Sequence, residues 1–208
     1  MSRQVVLVHG LWYGPMSMSL LAIRLEGLGF ECHRFGYPTL SRSVKANAQA
    51  LYRFARELDT EQLDFVGHSL GGLVIMHLFD RFKDLPPGRV VLLGSPVRGS
   101  SVASRMVGIK AARPLIGEAR SGLERGFSNA PPGRETGVIA GTSGVGLGRV
   151  IENLEKPHDG TITVSETRLD DATDTLELPV SHTGLVLTRP VAEAIASFLN
   201  NGSFDHEE

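Results

Sequence analysis

Apolar and polar positions follow two periods along this chain. Short runs dense in Val, Leu, Ile and Phe recur at Gln4–Val8, Phe30–Tyr37, Leu63–Val66, Arg89–Leu93, Thr136–Ala140 and Thr175–Leu178. Each has the length of a strand. Between them, Met16–Leu28, Ser43–Leu58, Leu70–Phe82 and Pro190–Leu199 place apolar residues three and four apart, the spacing of a helix face. Punctuation agrees with this division. Gly29 stops the first helix, Pro38 ends the second strand, Ser43 stands as an N-cap, and 83–88 is a Pro/Gly loop. Strands alternating with helices predict an α/β fold, with a mostly parallel six-stranded sheet covered on both faces. No repeat and no interdomain linker breaks the pattern, so residues 1–208 read as one domain. One stretch departs from it. Residues 95–135 hold helical pieces but no convincing strand, and are too long for an ordinary connection. They are expected to form a small cap or to line a site.

The third strand and third helix meet at Gly67-His68-Ser69-Leu70-Gly71-Gly72, which fits G-x-S-x-G. In a strand–turn–helix setting this pattern is a nucleophile elbow. The serine must occupy a strained turn that lifts its hydroxyl above the sheet. Glycines on either side remove the Cβ atoms that would collide with neighbouring strand and helix. The helix N-terminus then aims backbone N–H groups at any oxyanion forming near Ser69. The bland reading is a glycine-rich turn with an incidental serine.

A serine nucleophile needs a base, and the base needs an orienting carboxylate, in the chain order Ser, acid, His. Among seven histidines, His182 follows the last strand and precedes the last helix, where α/β folds place functional groups. His9 and His68 flank motif glycines and read as structural, while His33, His77 and His206 have no partner that the sequence argues. The favoured acid is Asp159, in an Asp159-Gly160 turn beside His158. Its bland reading is a turn aspartate capping its own backbone. Asp170, Asp171 and Asp174 also lie between Ser69 and His182, and read as a solvated cluster. The oxyanion hole needs two N–H donors, for which Leu70 and Leu11 are the natural choices. Trp12, Tyr13 and Arg98 are the candidates for the substrate pocket; the two aromatics read equally well as rim packing.

Composition narrows the classes further. Hydrophobic residues make up 41% and charged residues 21%, as in a soluble globular protein. A net charge of −2 argues against a nucleic-acid partner. No apolar run is long enough for a transmembrane segment, and the first strand is too short and too soon interrupted by His9-Gly10 to be a signal-peptide core. A single cysteine, Cys32, excludes an internal disulfide and reads as a buried structural thiol. These features predict a cytoplasmic protein. Within residues 95–135, seven basic residues (Arg98, Arg105, Lys110, Arg113, Arg120, Arg125 and Arg134) face three acidic ones. The sharper reading of this excess is a cap that meets an anionic head group; the bland one is a solvated helix face.

Five motifs occur in order: His9-Gly10-Leu11, the elbow, Gly94-Ser95-Pro96-Val97-Arg98-Gly99-Ser100, Asp159-Gly160-Thr161-Ile162-Thr163-Val164 and Ser181-His182-Thr183-Gly184-Leu185. Together they resemble the α/β-hydrolases of the small bacterial lipase and esterase type, related to inositol-deacylase-like hydrolases. The resemblance covers nearly the whole chain. It implies a minimal version of the fold without its two leading strands. It also implies two-step acyl transfer through Ser69, Asp159 and His182, with no metal or organic cofactor. Such hydrolases commonly carry Gly-Thr-Pro-His-x-Gly where this chain has Gly94-Ser95-Pro96-Val97-Arg98-Gly99; Val97 and Arg98 depart from that pattern, so the family's usual substrate range does not carry over. Some lipases hold structural calcium, but no ligand cluster here has that spacing. The implied substrate is a small-molecule acyl ester. An acyl thioester on a carrier is the enzymatic alternative, and a binding protein retaining the fold the non-enzymatic one.

Overall fold

The computed structural model describes residues 3–108, 117–119, 123, 126–144 and 154–206. The strands are β1 (Arg3–Val8), β2 (Phe30–Phe35), β3 (Leu63–His68), β4 (Val90–Leu93), β5 (Thr136–Gly141) and β6 (Asp174–Leu178). They form one sheet in the order β2-β1-β3-β4-β5-β6. Every neighbouring pair is parallel, so the sheet is parallel throughout rather than mostly so. Among the described residues, seven α-helices accompany it: α1 (Ser19–Glu26), α2 (Val44–Arg56), α3 (Leu70–Arg81), α4 (Ser101–Gly108), α5 (Val164–Thr167), α6 (Gly184–Leu187) and α7 (Arg189–Asn201).

Direction reverses once in the strand order. From β1 the chain steps outward to β2, then returns past β1 to β3 and continues one way to β6. Right-handed crossovers therefore put α1 on one face and α2 and α3 on the other. The core follows this division. Val6, Val8, Phe65 and Leu92 pack with α2 and α3, whereas Val5, Leu7, Val66 and Leu93 pack with α1 and α7. Alternate residues of one strand thus enter opposite layers, which is why the central strands read as unbroken apolar runs. The reversal leaves a crevice at the C-terminal ends of β1 and β3, the usual place for a site in an open parallel sheet.

Most predicted elements appear within two residues of their expected limits, and the exceptions have local causes. The first helix is shorter than Met16–Leu28. Pro15 opens a 3-10 turn over Pro15–Met18, α1 starts at Ser19, and Gly29 turns the chain into β2 with φ 95°. β2 stops at Phe35 because Tyr37 leaves the ladder, stacks on His9 at 4.4 Å and donates its hydroxyl to His9 O at 2.7 Å. Ser43 caps α2 as expected, accepting from Ala46 N at 3.3 Å. Cys32 lies on β2, half-buried, where burial and the nearby Glu26 push its thiol up to about 12. The helix α4 falls within the 95–135 stretch. Residues 109–116 and most of 120–125, with Lys110, Arg113, Arg120 and Arg125 among them, lie outside the described residues, as does the side chain of Arg105.

The opposite end of the sheet is a polar anchor. Asp64 is fully buried, takes a two-pronged contact from Arg3 and accepts Arg89 N–H at 2.6 Å. Arg134 donates to Leu63 O at 3.0 Å and lies 4.1 Å over the Phe79 ring. Burial pushes its guanidinium down to about 10, which leaves it charged. This is the end of the sheet away from the elbow, so Arg134 supports the scaffold.

Candidate active site

The elbow is built by close packing around β3 and α3. A Cβ on Gly67 would stand 2.7 Å from the Gly72 backbone, and one on Gly71 would stand 2.2 Å from Val8 O and 2.6 Å from His9 O. One on Gly72 would meet Ser95 Oγ at 2.0 Å. With backbone pressing on each side, only glycine fits. Between them Ser69 takes φ 54° and ψ −123°, a region costing about 1–3 kcal/mol for a non-glycine residue. Its N–H is bonded to Leu93 O at 2.9 Å, which holds the turn on the end of β4. Gly71→Ala is expected to cost about 3 kcal/mol or more, because the obstruction is main chain that cannot repack. Gly14→Ala, where a Cβ meets nothing within 4 Å, should stay within about 0.5 kcal/mol. Urea denaturation of the two variants side by side measures the contrast.

Asp159 and His182 meet beside this turn. Asp159 is 1% exposed, and its Oδ2 lies 2.6 Å from His182 Nδ1. Its Oδ1 accepts Thr161 N–H at 2.9 Å and Ile162 N–H at 2.7 Å, so the turn that the bland reading described is also present. One oxygen holds the loop and the other holds the imidazole. The main chains are joined too, His182 N–H donating to Asp159 O at 2.9 Å. Gly94 makes room beneath the pair: at φ 51°, its Cβ would stand 2.9 Å from Asp159 Oδ2 and 3.2 Å from His182 Nδ1. A carboxylate on Nδ1–H fixes the tautomer whose Nε2 carries a free lone pair. Ser69 Oγ makes no hydrogen bond among the described residues, as is common before substrate binds.

The loop after β1 comes up against the serine. A Cβ on Gly10 would be 3.0 Å from Ser69 Cβ. Tyr13 N–H closes a turn onto Gly10 O at 3.3 Å, with Trp12 at φ 63°. That hydrogen bond leaves the Leu11 N–H out of the turn. Leu70, at the first position of α3, has no carbonyl one turn earlier to receive its N–H. Both donors therefore lie on segments adjoining Ser69. Trp12 and Tyr13 are 48% and 40% exposed, and Tyr13 presents its ring edge-on to His68 at 6.1 Å.

Other residues singled out by the sequence are placed elsewhere. Arg98 turns its guanidinium onto Asp170 and donates to Arg168 O at 3.0 Å, tying the segment after β4 to the chain beyond α5. Asp171 accepts Ala130 N–H at 2.6 Å, and Asp174 binds Phe204 N–H at 2.7 Å and His206 at 3.0 Å. His158 Nδ1 accepts Gly160 N–H at 3.0 Å inside the Asp159 turn. His33 lies 3.2 Å from Gln4 Oε1, and His77 packs edge-on to Phe127. Sequence reasoning missed Glu166. It completes a capping box with Thr163 on α5 and accepts Ser101 N–H at 2.5 Å, joining the Asp159 loop to α4. The spacing Thr163-Val164-Ser165-Glu166 was the available signal. Among the described residues, no group of three or more His, Cys, Asp or Glu side chains could hold a metal ion. No described helix is long and apolar enough to cross a membrane.

Two buried histidines border the site in neutral form. His9 donates Nδ1–H to Gly10 O at 3.0 Å and accepts Tyr37 N–H on Nε2 at 3.4 Å, and burial lowers its pKa. Burial first, then repulsion from His182, holds His68 well below its usual 6.5. Below that pH the unfolded chain binds protons that these residues refuse, so stability is full above about 6.5 and falls as pH drops. The expected slope is about 1.4 kcal/mol per pH unit for each histidine until its folded-state pKa is reached. Urea midpoints between pH 7.5 and 5 measure it.

Comparison with known proteins gives the class of this parallel sheet with its strand–turn–helix at Ser69. The chain belongs to the alpha/beta hydrolase family, whose model matches residues 5–194. The match is to the family as a whole and does not single out the inositol-deacylase-like branch. No curated protein matches the sequence significantly. Among solved structures, the mature lipase BlEst2 of Bacillus licheniformis is similar, with a TM-score of 0.76 and 19% identity over 97% of this chain and 92% of that one. The metagenomic carboxyl esterase MGS0156 has a TM-score of 0.73 and 17% identity, covering 96% and 76% of the two chains. A pyrethroid hydrolase from Sphingobium faniae JZ-2 has a TM-score of 0.63 and 14% identity over 97% and 98%. At such identities the likeness is one of fold.

Proposed function

We propose that the protein is a serine-dependent carboxylic ester hydrolase that works through an acyl-enzyme. The observation that carries this reading is the buried Asp159–His182 pair, 2.6 Å between Oδ2 and Nδ1, beside a serine held at φ 54°. A scaffold protein has no need to bury a carboxylate against an imidazole next to a strained hydroxyl.

In this reading His182 Nε2 takes the proton of Ser69 Oγ as the oxygen attacks the ester carbonyl. The charge that develops on the carbonyl oxygen is received by Leu11 N–H and Leu70 N–H, aided by the positive end of α3. Asp159 orients the ring and stabilises the imidazolium. His182 then hands the proton to the departing alcohol oxygen. Water enters, loses a proton to His182, attacks the acyl carbon, and Ser69 Oγ leaves with the proton returned. Every group needed is a side chain or main-chain N–H of this chain. Lipase and esterase names among the similar structures support an ester as the substrate. Trp12 and Tyr13, half exposed beside the oxyanion loop, are the proposed rim of the acyl site.

The test is a series of p-nitrophenyl esters from acetate to palmitate, with acyl-CoA thioesters of equal acyl length alongside, together with labelling by a fluorophosphonate. Ester turnover with Ser69 as the labelled residue is the expected result. Turnover of the thioesters alone would move the protein to the thioesterase class. Absence of both turnover and labelling would favour a binding protein.

A further inference from the structure

His68, the residue before the proposed nucleophile, has a fixed tautomer. Its Nε2 lies 2.9 Å from His182 O, and a carbonyl only accepts, so Nε2 carries the hydrogen. Burial and the neighbouring His182 keep the ring neutral, which leaves Nδ1 bare. Nδ1 faces the loop after β1, 3.1 Å from where a Gly10 Cβ would stand. The ring is 1% exposed and packs against the His182 ring at 4.6 Å, tilted by 43°.

This bond has a particular place in the site. His182 is held on its own side by two bonds to Asp159, one from its side chain and one from its N–H. Both run within the segment around β6 and leave its distance to Ser69 unset. β6 is three strands from β3, with β4 and β5 between them. Among the described hydrogen bonds, His68 Nε2–H to His182 O is the one that joins the loop of His182 to β3, across 114 residues of sequence. His68 is also joined by one peptide bond to Ser69. The reference point of the bond is therefore the peptide chain of the nucleophile itself.

We propose that His68 is a positioning residue that sets the His182 imidazole at reacting distance from Ser69; the proposal rests on the hydrolase reading above. It acts through the His182 main chain and touches no substrate. Its neutrality suits the task, since a charged ring there would oppose the imidazolium that forms on His182 in each half-reaction. Its role is distinct from that of Asp159, which orients the imidazole about its own axis.

The test compares His68→Gln with His68→Met, which share shape and length but differ in the N–H donor. A lost anchor that lets the base drift by about 1 Å is expected to cost on the order of 100-fold. That loss should fall on kcat of His68→Met for a p-nitrophenyl ester, with KM little changed. His68→Gln should recover most of it. The carbonyl 13C resonance of His182, whose oxygen accepts this bond, should keep its wild-type position in His68→Gln and shift in His68→Met. A merely space-filling role would lower the melting temperature of both variants equally, leaving kcat and the resonance alike in the two. That outcome, or a His68→Met enzyme with wild-type kcat, would overturn the proposal. Should His68→Met not fold, His68→Phe supplies a donor-free ring of similar bulk. Failure of the hydrolase reading is seen separately, as a wild-type protein with neither ester turnover nor Ser69 labelling. The His182 resonance decides the His68 contact even then.

Discussion

Ser69→Ala is expected to abolish all but a trace of ester hydrolysis while leaving the protein folded. The hydroxyl makes no capping bond to α3, so its removal leaves helix and elbow as they are, within about 0.5 kcal/mol. On the proposed mechanism, what remains of catalysis is binding and oxyanion stabilisation by Leu11 and Leu70. In serine hydrolases that remainder is on the order of 10³–10⁴ over water, against about 10⁶ lost in turnover. The measurement is kcat/KM of purified wild type and variant on one p-nitrophenyl ester, with circular dichroism to confirm folding. Activity within tenfold of wild type would remove Ser69 from the mechanism.

Asp159→Asn is expected to be nearly as severe, and for a reason visible in its bonds. Asp159 Oδ1 serves two backbone N–H groups, so an asparagine placed there keeps its carbonyl on Thr161 and Ile162. Its amide NH2 then faces His182 Nδ1. Two donors cannot share that contact, and the imidazole is driven to the tautomer with hydrogen on Nε2, which cannot accept the serine proton. The loss in such a change is about 10⁴ in turnover with little change of fold. Asp171→Asn and Asp174→Asn serve as comparisons. Their carboxylates hold Ala130 N–H, and Phe204 N–H with His206, away from the imidazole. Both should stay near wild-type turnover. A crippled Asp174→Asn beside an active Asp159→Asn would reverse the assignment of the acid.

The parts of this molecule that were legible in the sequence are those encoded locally. The elbow needs only a strand, two glycines and a helix in succession, and Gly67, Gly71 and Gly72 have the close backbone neighbours that this arrangement requires. The tight turn at Asp159-Gly160 showed itself through that residue pair, and the cap at Ser43 through its place before a periodic run. What was hidden depends on distant partners. Gly94 is needed because Asp159 and His182 pass above it, and His68 read as structural because nothing in its neighbourhood names a carbonyl 114 residues away. Arg98 read as a pocket residue from its motif, yet Asp170 and Arg168 O take up its guanidinium. The helices α5 and α6 are four residues each, too short to show a period.

β6 lies at the edge of the sheet, bonded on one side to β5 and half exposed along its length, and the chain leaves it directly for His182. Edge elements with few buried contacts open at lower free energy than central ones. The proposed nucleophile follows a central, fully buried strand, and the proposed base follows the most exposed one. Mild denaturant should therefore separate the two before the central strands and α3 come apart. The protein would pass through a state that is structured by every spectroscopic measure but catalytically silent, so its enzymatic activity reports the docking of the last strand rather than the integrity of the whole.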